Sequence, residues 1–396
     1  MIDFDFKPDR KKEKCRKWDY NLIKQKYGDI PKDFIPMWIA DMDFKIPKKL
    51  EENMIEAIKI GVFGYTYCYD EFYDAVINWQ KRRHNIAIKK EEIILTYGTV
   101  STLHYVIQAF CKENDNIILN TPIYSPFEDC AKKQGVNIIF NTLINIDNKY
   151  YIDFEKLEKD MKKHKPKLML FCSPHNPSGR IWTIEEINKI AKLCKENNII
   201  LISDEVHSEH IHIGKHYSML SLEKDLVDNI IFLTSPNKAF NLGGLKTSYA
   251  IIKNKDLFNI FKKQLNKNSI TSPNVFGILS LITVYNDCED WLDSVNNYIY
   301  ENYLILKEYI DNNNLLSLME LESSYLPFIN IKNTNLNSKG FCFKLAREEG
   351  IILEPGENFV KDGEDFVRMN IGTQRENLLK AINKINNFLK KRINDI

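Results

Sequence analysis

No apolar run in this 396-residue sequence reaches the ~20 residues that a membrane-spanning helix needs. The opening Met1-Ile2-Asp3-Phe4-Asp5-Phe6 is acidic and then turns basic, the reverse of a secretory leader, so no export signal is expected. Charge of one sign is missing too. The 55 Lys and Arg balance 54 Asp and Glu, leaving a formal charge of +1. There is no basic surplus for nucleic acid and no acidic tail for a basic partner. The eight cysteines are scattered and form no C-x-x-C, which argues against a zinc site and a disulfide framework. They read as small hydrophobes in a reducing, cytoplasmic compartment. No internal repeat, low-complexity linker or DNA-binding extension is evident.

What is present suits a globular chain with a real core, 44% hydrophobic and long enough for one large and one smaller domain. After an irregular first 45 residues, helical spacing covers 47–60 and 71–83. Strands at 92–97, 117–119, 136–140, 167–172 and from 199 and 230 then alternate with helices to 110 and over 124–133, 154–163 and 182–197. This alternation predicts an α/β fold with a mainly parallel, doubly wound sheet between helices. Beyond 255 come helices over 257–267, 274–285, 291–310, 339–349 and 376–390, and strands over 325–331 and 366–371. They predict a smaller α+β domain. We expect a large domain over 46–285, and a small one built from 1–45, an amino-terminal arm, and 286–396.

Three apolar runs deliver polar residues at their carboxyl ends, the edge where open α/β sheets bind ligands. Lys167-Leu168-Met169-Leu170-Phe171-Cys172 leads to Ser173-Pro174-His175-Asn176-Pro177-Ser178-Gly179-Arg180. Ile199-Ile200-Leu201-Ile202-Ser203 leads to Asp204-Glu205-Val206-His207. Ile230-Ile231-Phe232-Leu233 leads to Thr234-Ser235-Pro236-Asn237-Lys238, followed by Gly243-Gly244-Leu245-Lys246. A lysine at such an edge, desolvated in a crevice, deprotonates easily enough to form a Schiff base; alone, it would be a surface loop residue. Asp204 would be costly at the end of so apolar a strand without a partner, although a strand-end Asp is commonly a turn residue. Asn176 is equally readable as a turn residue before Pro177. Gly98, Thr99 and Val100 stand between a strand and a helix, where backbone N–H groups bind anions or merely form an N-cap. Arg368 interrupts an apolar strand, suiting either bidentate carboxylate capture or a structural ion pair. The cluster His207, Glu209, His210 and His212 matches no zincin spacing, and alternation along an extended segment would split it between two faces. No metal site is expected; His210 and His212 read as surface or packing residues, and His207 as able to reach the site.

Taken together, these stretches resemble the fold-type-I pyridoxal phosphate (PLP) enzymes, the class I/II aminotransferase superfamily, over essentially the whole chain. Lys17-Trp18-Asp19 and Pro36-Met37-Trp38-Ile39-Ala40-Asp41-Met42-Asp43-Phe44 narrow the resemblance to the cystathionine β-lyase and cysteine desulfhydrase (C–S lyase) branch. The resemblance implies PLP as cofactor, with Lys238 as the Schiff-base lysine and Asp204 paired with the pyridine nitrogen. Asn176 would meet the cofactor hydroxyl, Tyr124 stack on the ring, and His207 lie near it. Gly98, Thr99, Val100, Ser235 and Lys246 would cradle the phosphate. Arg368 would hold the substrate carboxylate, with Trp38 and Ile39 bordering the pocket. Tyr65 would reach the cofactor phosphate of a neighbouring subunit, implying a homodimer with shared active sites. Thr99, Asn237 and Lys246 depart from the commoner residues of the superfamily, and Lys246 would bind phosphate as a point charge.

The expected reaction is β-elimination from a sulfur amino acid, giving a thiol, pyruvate and ammonia. An aminotransferase needs the same groups, and only the amino-terminal motifs favour the lyase. A binding protein that has lost catalysis is disfavoured by the intact Lys238, Asp204 and Asn176.

Overall fold

The computed structural model describes residues 2–393. Its centre is a seven-stranded sheet of β1 (Ile93–Thr96), β2 (Asn116–Thr121), β3 (Asn137–Thr142), β4 (Leu168–Cys172), β5 (Ile200–Asp204), β6 (Ile230–Thr234) and β7 (Ser248–Ile251). The spatial order is β1-β7-β6-β5-β4-β2-β3. Six strands point the same way and β7 runs against both its neighbours.

Every residue of β4 and β6 is buried. A sheet covered on both faces demands such continuous apolar runs rather than alternation. Side-chain alternation still sorts them into two layers. Leu168, Leu170, Ile231 and Leu233 pack with Phe127 and Phe261 on one face. Met169, Phe171, Ile230 and Phe232 pack with Trp182 and Ile187 on the other.

The helices of eight or more residues up to the sheet's last strand are α1 (Tyr20–Tyr27), α2 (Lys48–Lys59), α3 (Asp70–His84), α4 (Thr99–Phe110), α5 (Pro126–Lys133), α6 (Phe154–His164) and α7 (Ile184–Glu196). α7 starts at Ile184 rather than 182 because Thr183 caps it, accepting from Glu186 N while Glu186 reaches back. Then follow α8 (Lys255–Lys267), α9 (Val275–Asp287), α10 (Glu289–Asp311), α11 (Ser338–Glu349) and α12 (Arg375–Ile393). Among the described residues, no helix is long and apolar enough to cross a membrane.

A second sheet, fully antiparallel, has the order β8 (Ser317–Leu318), β9 (Phe328–Asn330), β11 (Phe366–Arg368) and β10 (Glu354–Pro355). The amino-terminal arm joins it to the rest. Ile35–Pro36 pairs in parallel with Ile351–Ile352. A buried ionic knot then fixes the segment that follows. Asp43 accepts from Arg10 Nη1 at 2.8 Å, Lys17 Nζ at 2.9 Å and Trp18 Nε1 at 2.9 Å. Lys17 is fully buried, which its fixed partners make tolerable.

The structure adds elements that periodicity does not reveal. α1 lies in the stretch read as irregular; it is eight residues long, capped by Asp19, and buries only Ile23 and Tyr27. β7, a four-residue strand hidden behind Gly243-Gly244, makes the sheet mixed at one side. A hairpin pairs Ile144–Ile146 with Lys149–Tyr151.

Candidate active site

The carboxyl edge of the large sheet supplies the site, as parallel strands that end together require. β1 ends before Gly98, β2 before Tyr124, β4 before Asn176, β5 at Asp204, and β6 before Ser235 and Lys238. The reversed β7 begins at this edge, with Ser248 opposite Thr96, so Lys246 also arrives there. Gly98, Thr99, Val100, Tyr124, Asn176, Asp204, His207, Ser235, Lys238 and Lys246 all line one cleft of about 180 Å³.

Gly98 has φ +87°, a conformation only glycine adopts without strain. It turns the chain so that α4 presents its first N–H groups to the cleft, an anion-binding arrangement. Gly98 N itself donates to Ser248 Oγ at 2.7 Å, locking the turn to β7.

Lys238 sits in a four-residue helix, Pro236–Ala239, capped by Ser235. Burial, with Arg368 adding to it, lowers its pKa from 10.5 to about 8 against the pull of Asp41 and Asp204. Its Nζ donates to Ala40 O at 2.6 Å. Asp204 is 5% exposed and accepts from Val206 N at 3.2 Å. Burial raises its carboxyl from 3.8 to about 7, only partly opposed by that N–H and by Lys238. His207 has a buried Nδ1 without a partner among the described residues, and burial holds the ring well below its ordinary pKa, so it is neutral. Asn176 is oriented by Arg368. Nη1 of Arg368 donates to Asn176 Oδ1 at 2.9 Å, so the amide N–H₂ of Asn176 is left to donate elsewhere. Arg368 also donates from Nη2 to Trp38 O at 3.1 Å, lies over the Phe359 ring, and keeps a buried Nε without a partner among the described residues.

Trp38, Ile39, Arg368 and Tyr65 are not among the residues lining this cleft. Arg368 is one contact away, through Asn176. Trp38 meets Arg368 through its carbonyl, while its indole donates to Lys17 O at 3.2 Å and lies under Lys26. Ile39 O accepts from Asn370 at 2.6 Å. Tyr65 is fully exposed on the segment after α2.

One expectation is corrected. Residues 206–209 form a turn, not an extended segment, so alternation does not distribute the histidine cluster. Of the surface and packing readings, His210 takes the second, fully buried behind Lys238, and His212 donates to Ser324 O at 2.5 Å. Glu209 pairs with His84 at 2.7 Å and accepts from Trp79 Nε1 at 2.7 Å. Three further groups escaped sequence reasoning: the Ala40 carbonyl, Tyr325 and Asn370. Ala40 lies inside the Pro36–Phe44 motif and Asn370 two residues past Arg368, but nothing local marks a carbonyl as an acceptor for an amine 198 residues away.

A model of the family "Aminotransferase class I and II" matches residues 34–385. The chain belongs to this family. Relatives within it include cystathionine beta-lyase PatB of Bacillus subtilis, 32% identical over 97% of this chain and 99% of that protein. Protein MalY of Escherichia coli is 27% identical over 98% and 99%. Among solved structures, cystalysin from Treponema denticola, which contains a pyridoxal 5'-phosphate cofactor, superposes with a TM-score of 0.95 at 32% identity, covering 99% of both chains. A PLP-bound C–S lyase from Staphylococcus hominis gives 0.90 at 29%, covering 98% of both. The fold is therefore fold type I of this family, with its mostly parallel central sheet.

Proposed function

We propose that this chain is a PLP-dependent lyase that breaks the C–S bond of a cystathionine- or cysteine-type amino acid, releasing thiol, pyruvate and ammonia. One observation carries the reading. A buried carboxylate without a hydrogen-bonded cation among the described residues, Asp204, faces the same cleft as a buried amine of low pKa, Lys238. A ring whose protonated nitrogen meets the one and whose aldehyde meets the other satisfies both. The similarity to named C–S lyases over nearly the whole chain supports the choice of reaction.

When bound, PLP supplies an electron-poor ring that stores the electron pair left as the Cα proton departs. Asp204 keeps a proton on the ring nitrogen. Asn176, its oxygen occupied by Arg368, donates from its amide nitrogen to the cofactor hydroxyl oxygen. Tyr124 covers the ring. The N–H groups of Thr99 and Val100, with Gly98, Ser235 and Lys246, hold the phosphate. Arg368 turns its fork to the substrate carboxylate, between the Trp38 and Ile39 main chain and Asn176. His207, neutral, flanks the ring without adding charge. Lys238, near pKa 8, is uncharged often enough at neutral pH to take the Cα proton.

A second copy completes the site. Ile60, Val62, Phe63 and Tyr65 are 59–103% exposed in succession, an apolar surface that a partner covers. Tyr65 then reaches the partner's cofactor phosphate. The cytoplasm is the proposed compartment.

The test is cystathionine or cysteine offered to purified protein without a 2-keto acid. Pyruvate and thiol released over many turnovers, and lost in Lys238→Ala together with the protein's visible absorbance, are expected. One half-reaction followed by arrest would instead identify an aminotransferase. Colourless protein unable to take up PLP would overturn the reading.

A further inference from the structure

Lys238 is held at both ends by residues that the proposed chemistry does not use. At the amine, Ala40 O accepts from Nζ at 2.6 Å and from Tyr325 Oη at 3.1 Å. At the main chain, His210 Nε2 donates to Lys238 O at 3.0 Å. The other ring nitrogen of His210 lies 2.6 Å from Asn296 Oδ1, and Asn296 Nδ2 donates to Glu209 O at 2.8 Å. The His210 ring meets Tyr325 edge-on, with centroids 5.1 Å apart and planes at 89°. His210 and Tyr325 are 0% and 1% exposed.

The short helix explains the need. A single turn has no cooperativity of its own, and its last carbonyls have no helical partner. Pro236 O accepts from Phe240 N, and Asn237 O from Leu242 N. Lys238 O instead meets an imidazole supplied by the turn after β5 and braced by α10. A buried carbonyl left unpaired would be costly, and the turn would shift to find another donor.

We propose that His210 is a positioning residue for Lys238. It satisfies the lysine carbonyl and packs on the tyrosine that shares Ala40 O, and so fixes where the amine stands in the cleft. The proposal rests on the reading of Lys238 as the reacting amine. Burial lowers the His210 pKa from its ordinary value; Lys238 O, Asn296 Oδ1 and the Glu209 charge pull the other way, and the Lys238 charge opposes them.

The test contrasts His210→Gln, whose amide keeps a donor of similar reach, with His210→Leu, which has none. In cofactor-free protein, competitive acetylation of Lys238 across pH reports its pKa. In holoenzyme, kcat and KM for cystathionine report positioning. His210→Leu is expected to lower kcat about tenfold or more with KM within about twofold, the pattern of a misplaced reacting group. It should also lower the Lys238 pKa by about half a unit or more, because the Ala40 contact that favours the ammonium loosens. His210→Gln should recover most of both. Identical labelling curves and kcat for the two variants would overturn the proposal. If His210→Leu does not fold, Asn296→Ala, which unbraces the ring, should shift the labelling curve in the same direction by less, and an unmoved curve refutes the role. If even wild type releases no pyruvate, the lyase reading fails separately, and the labelling contrast alone decides on His210.

Discussion

Asp204→Asn should stabilise the cofactor-free protein while removing its activity. The carboxyl is 5% exposed, and its folded pKa of about 7 stands against an ordinary 3.8. Such a group binds protons on folding, so wild-type stability falls as pH rises from about 3.8 to about 7 and is level above that. The gap corresponds to roughly 4 kcal/mol at most, and water in the open cleft reduces it to roughly 2–4 kcal/mol. Asparagine keeps an oxygen for the Val206 N–H, and so removes the charge without removing the hydrogen bond. Urea titration of cofactor-free protein at pH 8 should therefore place the variant's midpoint above wild type. At pH 5 the advantage should fall to less than about half. Adding PLP should stabilise wild type more than the variant, because only the carboxylate gains a cation. A variant no more stable than wild type at pH 8, or equally advantaged at both pH values, would refute the argument that Asp204 is strained until it is paired.

Other outcomes follow from the same geometry. Asp43→Asn leaves Arg10 and Lys17 facing a neutral group in the arm's buried knot and should cost about 3 kcal/mol, read from the urea midpoint. Glu209 lifts the His84 pKa above 6.5 against the burial that lowers it, so their pairing stabilises fully below about pH 6.5 and fades as pH rises through the folded value. His84→Asn should accordingly lose more stability at pH 6 than at pH 9. Tyr65→Phe should weaken PLP binding about tenfold, one charge-assisted hydrogen bond, with little change in the stability of the isolated fold. If the sites are shared, a hybrid dimer of Tyr65→Phe and Lys238→Ala chains carries both lesions in one site. Mixing them after reversible dissociation should return a chain pair with one intact site; no recovery would argue against shared sites.

Much of this molecule could be read without coordinates because its strands lie in a two-sided sheet. Runs such as Leu168–Cys172 and Ile230–Thr234 must then be apolar throughout, so their polar successors stand out. Asn176, Asp204, Ser235 and Lys238 stand out on that ground and reach one cleft. Gly98, needed at φ +87°, was legible for a similar local reason.

What local pattern could not carry was decided by contacts between distant segments. The direction of β7, four residues behind a glycine pair, brings Lys246 to the same edge as Lys238. The arm's ionic knot sets Ala40 O against the amine, and Arg368 decides which way the Asn176 amide faces. Whether His210 packs or faces solvent is not legible locally, because a histidine's neighbours in sequence say nothing of a carbonyl 28 positions later. Period and composition determine which face of an element is buried. Which buried donor meets which acceptor depends on how those elements pack, and that exists only once the chain has closed on itself.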